Sequence, residues 1–187
     1  MSRILDTGIR NVRNVQQYTI GMGAIKDLAD NLEHLRSDET YILYFIDEYF
    51  SGEKQIIQSL KVESMDELVF VSTKDEPTTD YIDSKVSELK GKYINNPVAI
   101  VGMGGGITMD VAKAISNLLT NSGKAEDYQG WDLVKKPGIY KIAIPTLSGT
   151  GSEATRTCVM TNKISGLKLG MNSDYTVFDK ILMDPEL

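Results

Sequence analysis

The sequence predicts an α/β fold: a Rossmann-like, mostly parallel sheet with flanking helices. Three observations carry that reading. Short apolar runs recur along the chain, at Tyr41–Ile46, Val98–Val101 and Lys141–Ile144. Segments of helical periodicity separate them, as where Val111, Ala114, Ile115 and Leu118 fall at i, i+3, i+4 and i+7. Glycine- and hydroxyl-rich turns then follow the apolar runs, at the strand ends where an open α/β sheet holds its ligands. Short strands alternating with helices make a parallel sheet the expected arrangement.

In chain order, a short strand at Gln17–Ile20 leads through GMGAIK, a strand-to-helix turn, into a helix with Ile25, Leu28, Ala29 and Leu32 on one face. The Tyr41–Ile46 run is a buried strand ended by Asp47 and Glu48. A helix through Glu53–Leu60, a strand at Leu68–Val71 and an amphipathic helix from Tyr81 to Lys90 follow. The Val98–Val101 strand opens into GMGGG, with a helix beginning near Thr108. Residues Asn121–Gly138 form a polar loop, with Tyr128 and Trp131 expected to pack in the core or on the surface, the alternative being that they cover a substrate or meet a neighbouring subunit. Beyond PTLSGTGSEAT, strand-like segments are expected at Thr157–Met160, Lys168–Met171 and Ile181–Met183.

The bulk properties narrow the function. A net charge of −6 over 187 residues argues against a nucleic-acid surface. The apolar runs are far too short to span a bilayer, and the N-terminus lacks a signal-peptide core. The single cysteine, Cys158, cannot form an internal disulfide, so a reducing, cytoplasmic location is expected. His34 is the chain's one imidazole and is expected at the surface. A metal site needing two or more histidines cannot be built from this chain alone.

Three strand ends suit a dinucleotide. The run GMGGG lets bare backbone approach a ligand, and its N–H groups with those of the next helix make an anion cradle. A turn that merely packs helix on strand needs one or two glycines; Gly102, Gly104, Gly105 and Gly106 exceed that. In PTLSGTGSE, the hydroxyls of Thr146, Ser148, Thr150 and Ser152 can donate to phosphate or carboxamide. The plainer alternative there is a capped helix start, with Ser152 as N-cap and Glu153 in the first turn. Asp47 can accept both ribose hydroxyls of an adenosine, favouring NAD over NADP; an exposed turn acid is the alternative. Because this acid precedes the glycines, the usual G-x-G-x-x-G order does not apply. Asp110, in the first turn of the following helix, either complements its dipole or lies beside a nicotinamide. No P-loop pattern is present.

GGGITMDVAK followed by IPTLSGTGSEAT resembles the iron-containing (group III) alcohol dehydrogenase family, as do FIDEYF, GLKLGMNS and the final MDPEL. The resemblance runs along nearly the whole chain. It implies a dehydroquinate synthase-like dinucleotide-binding domain over 1–187, followed by a helical metal-binding domain not contained in this chain. It also implies NAD or NADP as cofactor, with Asp47 on the adenosine ribose and Gly104, Gly105 and Gly106 facing the pyrophosphate. Asp110 would lie near the nicotinamide, with Thr146, Ser148, Thr150 and Ser152 lining the path and Lys168 on the nicotinamide ribose. A divalent metal, iron or zinc, would be held by an Asp and three His beyond MDPEL, leaving this chain inert in isolation. Two residues depart from the family pattern: Ile107 replaces a serine and Leu147 a threonine, each removing a hydroxyl.

YQGWDLVKKPG and the tail look most like the sugar-acid branch typified by 3-deoxy-D-manno-octulosonate 8-oxidase. The implied partners are a small alcohol or sugar-acid substrate and a second copy in a homodimer. A glycerol dehydrogenase or dehydroquinate synthase relative, and a non-catalytic NAD-binding module, are the open alternatives.

Overall fold

The computed structural model describes residues 13–187. The main elements are β1 (Gln17–Ile20), α1 (Leu28–Glu33), β2 (Ile42–Asp47), α2 (Lys54–Ser59), β3 (Glu67–Val71), α3 (Thr79–Lys92), β4 (Ala99–Gly104) and α4 (Gly106–Thr120). They continue with β5 (Gly130–Trp131), β6 (Lys141–Pro145), β7 (Thr157–Asn162), β8 (Leu167–Asn172) and β9 (Lys180–Met183). Six strands form one sheet in the order β1-β9-β6-β4-β2-β3. Every neighbouring pair in it is parallel, as the alternation of runs and helices predicts.

The apolar runs are unbroken because the central strands are buried on both faces. Successive side chains of β2 point to opposite sides. Leu43 and Phe45 join Ile100, Ala143 and the inner residues of α3 and α4 in one core. Ile42, Tyr44 and Ile46 join Val101, Ile142 and Leu28 in the other. α3 starts where the Thr78 hydroxyl accepts the Tyr81 N–H at 3.2 Å, and it buries Ile82, Val86 and Leu89. α4 is buried nearly all round, from Thr108 to Leu119. Two of its interior polar groups are matched: Ser116 Oγ donates to the Ile139 carbonyl at 2.7 Å, and Asn117 Nδ2 to Thr176 Oγ1 at 3.0 Å.

The structure departs from the sequence expectation at element ends. The helix expected around Ile25–Leu32 starts as a 3-10 turn at Ala24–Asp27 before α1 takes over. The Asp184 carboxylate fixes that turn from outside, accepting the Gly23 and Ile25 N–H groups at 3.0 and 3.1 Å. α4 begins at Gly106, two residues before Thr108, so the glycine run itself caps the helix. The strand-like tail divides. β9 returns to the main sheet between β1 and β6, whereas β7 and β8 form an antiparallel hairpin completed by β5. β7 alternates buried and half-buried residues, with Cys158 and Met160 inside. One apolar face suits an outer layer, not the doubly covered sheet interior.

From β2 the chain runs outward to β3 and then returns to β4 on the other side of β2. The connections therefore diverge between β2 and β4, and a crevice opens beyond their carboxyl ends. Asp47 ends one strand and Gly104 the other. No described helix is long and apolar enough to cross a membrane.

Candidate functional site

Asp47 sits at the floor of the crevice, 8% exposed, with its carboxylate accepting the Tyr49 N–H at 3.0 Å. Gly104, at φ +152°, lies directly against it. A Cβ at position 104 would stand 2.9 Å from Asp47 Cβ and 2.8 Å from Thr108 Oγ1. The next glycines meet the loop after β6. A Cβ at Gly105 would reach 2.8 Å from Leu147 Cδ1, and one at Gly106 would lie 3.5 Å from Thr150 Cβ. The Thr146 N–H donates to the Gly104 carbonyl at 3.1 Å, pinning that loop to the glycine run. The structure thus brings together Asp47, Gly104, Gly105, Gly106, Thr146 and Thr150.

α4 starts at this point with Gly105 as its N-cap and no capping side chain. Its first-turn N–H groups have no partners within the helix and carry the positive end of its dipole. Thr108 adds a donor: its Oγ1 is fully buried and has no hydrogen-bond partner among the described residues. An unmade buried hydrogen bond costs about 1–3 kcal/mol. Bare backbone, an uncapped helix and an orphaned hydroxyl together fit a diphosphate. A cavity of about 560 Å³ adjoins, lined by Asp47, Phe50, Thr73, Thr146 and Leu147. A second, of about 320 Å³, is lined by Leu147, Ser148, Gly149, Glu153 and Asp184. Leu147, 61% exposed, divides the two.

Of the other expected residues, two are placed differently: Asp110 lies beyond the first turn of α4, and Ser152 does not start a helix. No helix follows Ser152, so it is not an N-cap; residues 151–154 form a turn. Its hydroxyl instead donates to Asp110 Oδ1 at 2.6 Å, and Asp110 Oδ2 accepts the Val159 N–H at 2.9 Å. Burial raises the Asp110 carboxyl above its ordinary value, opposed by those two hydrogen bonds. Lys168 is exposed on β8 and paired with Glu76. Tyr128 is buried, whereas Trp131 is 63% exposed, with the Arg156 guanidinium 6.0 Å from its ring centroid. His34 is exposed just after α1.

Thr108 and Lys113 have no sequence-level assignment, yet Thr108 lies against Gly104 and Lys113 holds the segment after Ser152. The signal for Lys113 is a charged residue inside VAKAI, with two apolar residues on either side in sequence. Among the described residues, no group of three His, Cys, Asp or Glu could hold a metal ion. The donor set of residues 13–187 therefore does not fit the divalent metal that the resemblance implies.

Comparison with known proteins identifies the family. Residues 16–185 match the family described as iron-containing alcohol dehydrogenase. The chain is 33% identical over 174 residues to the sulfoacetaldehyde reductase of Bilophila wadsworthia, covering 92% of this chain and 44% of that protein. It is 29% identical over 169 residues to the NAD-dependent methanol dehydrogenase of Bacillus methanolicus, covering 90% and 44%. The structure of a sulfoacetaldehyde reductase from Bifidobacterium kashiwanohense in complex with NAD+ superposes with a TM-score of 0.76 at 26% identity, over 95% of this chain and 46% of that one. A 1,3-propanediol oxidoreductase structure, at TM-score 0.79 and 21% identity over 95% and 46%, shares the fold. The chain spans less than half the length of these relatives. The match to the family extends from β1 to the residues just after β9, and the chain belongs to the iron-containing alcohol dehydrogenase family.

Proposed function

We propose that this chain is the dinucleotide-binding part of an oxidoreductase that interconverts a small alcohol and its aldehyde with NAD. One observation carries the reading: the switch-point crevice, where Gly104 lies against Asp47 and α4 presents an uncapped N-terminus. When bound, the nicotinamide supplies hydride transfer. The protein's own residues bind and orient. Asp47 accepts hydrogen bonds from the adenosine ribose and repels a 2′-phosphate. The amides of Gly105, Gly106 and Ile107, with Thr108 Oγ1, hold the diphosphate. Thr146 and Thr150 line the way past the glycine run. The metal belongs with ligands outside residues 13–187, and no step of this chain is routed through it.

For the substrate, we favour a small primary alcohol or its aldehyde over a sugar acid. Relatives are named for sulfoacetaldehyde, methanol, choline and 1-propanol. The sugar-acid branch has only YQGWDLVKKPG and the tail in its support.

Calorimetric titration with NAD and NADP tests the reading. The wild-type chain is expected to bind NAD at least tenfold more tightly than NADP. Asp47→Ala is expected to lower NAD affinity about 10- to 100-fold, the worth of a hydrogen bond to a charged group. NAD binding that survives both Asp47→Ala and Gly104→Ala unchanged would overturn the site. Steady alcohol oxidation by the 187-residue chain alone would overturn the placement of the metal.

A further inference from the structure

We propose that Lys113 and Asp110, one turn apart on α4, form a positioning clamp that sets the shape of the loop from Ser148 to Thr157, and through it the dinucleotide cradle. The inference rests on the function proposed above, and the experiment separates the two.

Lys113 is fully buried. Its Nζ donates to the Thr155 carbonyl at 2.9 Å, to Thr155 Oγ1 at 3.2 Å, to the Thr157 carbonyl at 2.8 Å, and to the Ser152 carbonyl. Asp110 takes the complementary groups of the same segment, the Ser152 hydroxyl and the Val159 N–H. One helix therefore holds both the carbonyls and the donors of Ser152–Val159. The N-terminus of that helix is Gly106, against which Thr150 packs. Cradle and loop thus share one support.

Residue type matters here. Three backbone carbonyls converging on one buried point need a cation that donates in several directions, and an ammonium has three donors. Among the described residues Lys113 makes no ion pair, so carbonyl dipoles and one ring carry its desolvation; the ammonium lies 5.5 Å from the Phe178 ring centroid. The charged and titratable groups facing it are Asp110 on α4, Glu153 in the loop, Cys158 on β7 and Lys141 on β6. Burial brings the lysine down to about 8. A buried charge of this kind is costly, and its return is a fixed loop geometry. Ser152 and Asp110 act as positioning residues: the Ser152 hydroxyl donates to Asp110, whose other oxygen accepts the Val159 N–H.

The test is hydrogen exchange on the 187-residue chain without ligand, paired with calorimetric titration by NAD. In Lys113→Met, amides from Thr150 to Val159 are expected to exchange at least tenfold faster, with β2 and β4 unchanged. NAD affinity is expected to fall at least fivefold. Asp110→Asn keeps the side chain's shape and is expected to show the same regional loosening; it carries the test if Lys113→Met does not fold. Weaker NAD binding with wild-type exchange in the loop would mean direct contact with the cofactor and would overturn the clamp. Uniform acceleration along the chain, or no change anywhere, would overturn it as well. If wild type fails to bind NAD while both variants loosen the loop, the clamp stands and the proposed function falls.

Discussion

Gly104 shows how much one missing Cβ decides. It is glycine for two separable reasons: its φ of +152° is strained for any L-residue, and the space for a Cβ is taken by Asp47 and Thr108. Gly151 shares only the first, at φ +66° with nothing within 4 Å of an added Cβ. Comparing the two isolates the contact. Gly151→Ala is expected to cost about 1 kcal/mol in strain alone. Gly104→Ala is expected to cost about 3 kcal/mol or more, lowering Tm by roughly 6–12 °C for a chain of this size. The same variant pushes Asp47 away from the glycine run, so NAD affinity is expected to fall with it. Equal melting shifts in the two variants would mean that Asp47 and Gly104 are not in contact.

Among elements, the β7–β8 hairpin is the one whose role differs most from its sequence signal. Its ion pair between Lys168 and Glu76 is exposed on both sides, and such pairs contribute about 0–1 kcal/mol. Lys168→Ala is thus expected to leave thermal unfolding within about 4 °C of wild type. If Lys168 swings from Glu76 to a bound nicotinamide ribose, the variant loses NAD affinity despite its unchanged stability. Unaltered affinity would assign the residue to the hairpin surface alone. The central sheet was readable because doubly buried strands must be apolar at every position, as in Ile42–Ile46 and Ala99–Val101. The cradle was readable because glycines cluster only where backbone needs room. The hairpin was not: Thr157–Asn162 has half-buried strand chemistry that fits either an edge of the main sheet or a separate layer. Contacts remote in sequence select the layer, among them the Asp110–Val159, Lys113–Thr157 and Gln129–Met160 hydrogen bonds. Lys113 itself was hidden because a lysine inside a helix is ordinarily solvated; its burial follows from α4 being covered on all sides.

At the scale of the whole molecule, the interior under α4 gives folding an unusual response to alkaline pH. Lys113 and Lys141 are both buried, and burial lowers each to about 8, against about 10.4 for an unfolded lysine. Between these values the unfolded chain holds more protons than the folded one, so each lysine makes the fold more stable as pH rises through the window. Cys158 acts in the opposite sense, because burial raises its thiol and the unfolded chain releases that proton first. A single pH profile therefore mixes the signs, and the difference between two proteins separates them. Lys113→Met retains Lys141 and Cys158 and removes one lysine from the sum. Lost apolar contacts shift its stability by a constant across the range; the slope reports the Lys113 proton together with its coupling to Lys141 and Cys158. Urea unfolding of both proteins from pH 7 to 10.5 is expected to show wild type gaining on the variant by on the order of 1–3 kcal/mol, nearly all of it above pH 8. Parallel profiles would mean that the Lys113 amine titrates as in water, and that the carbonyls around it hold no buried charge.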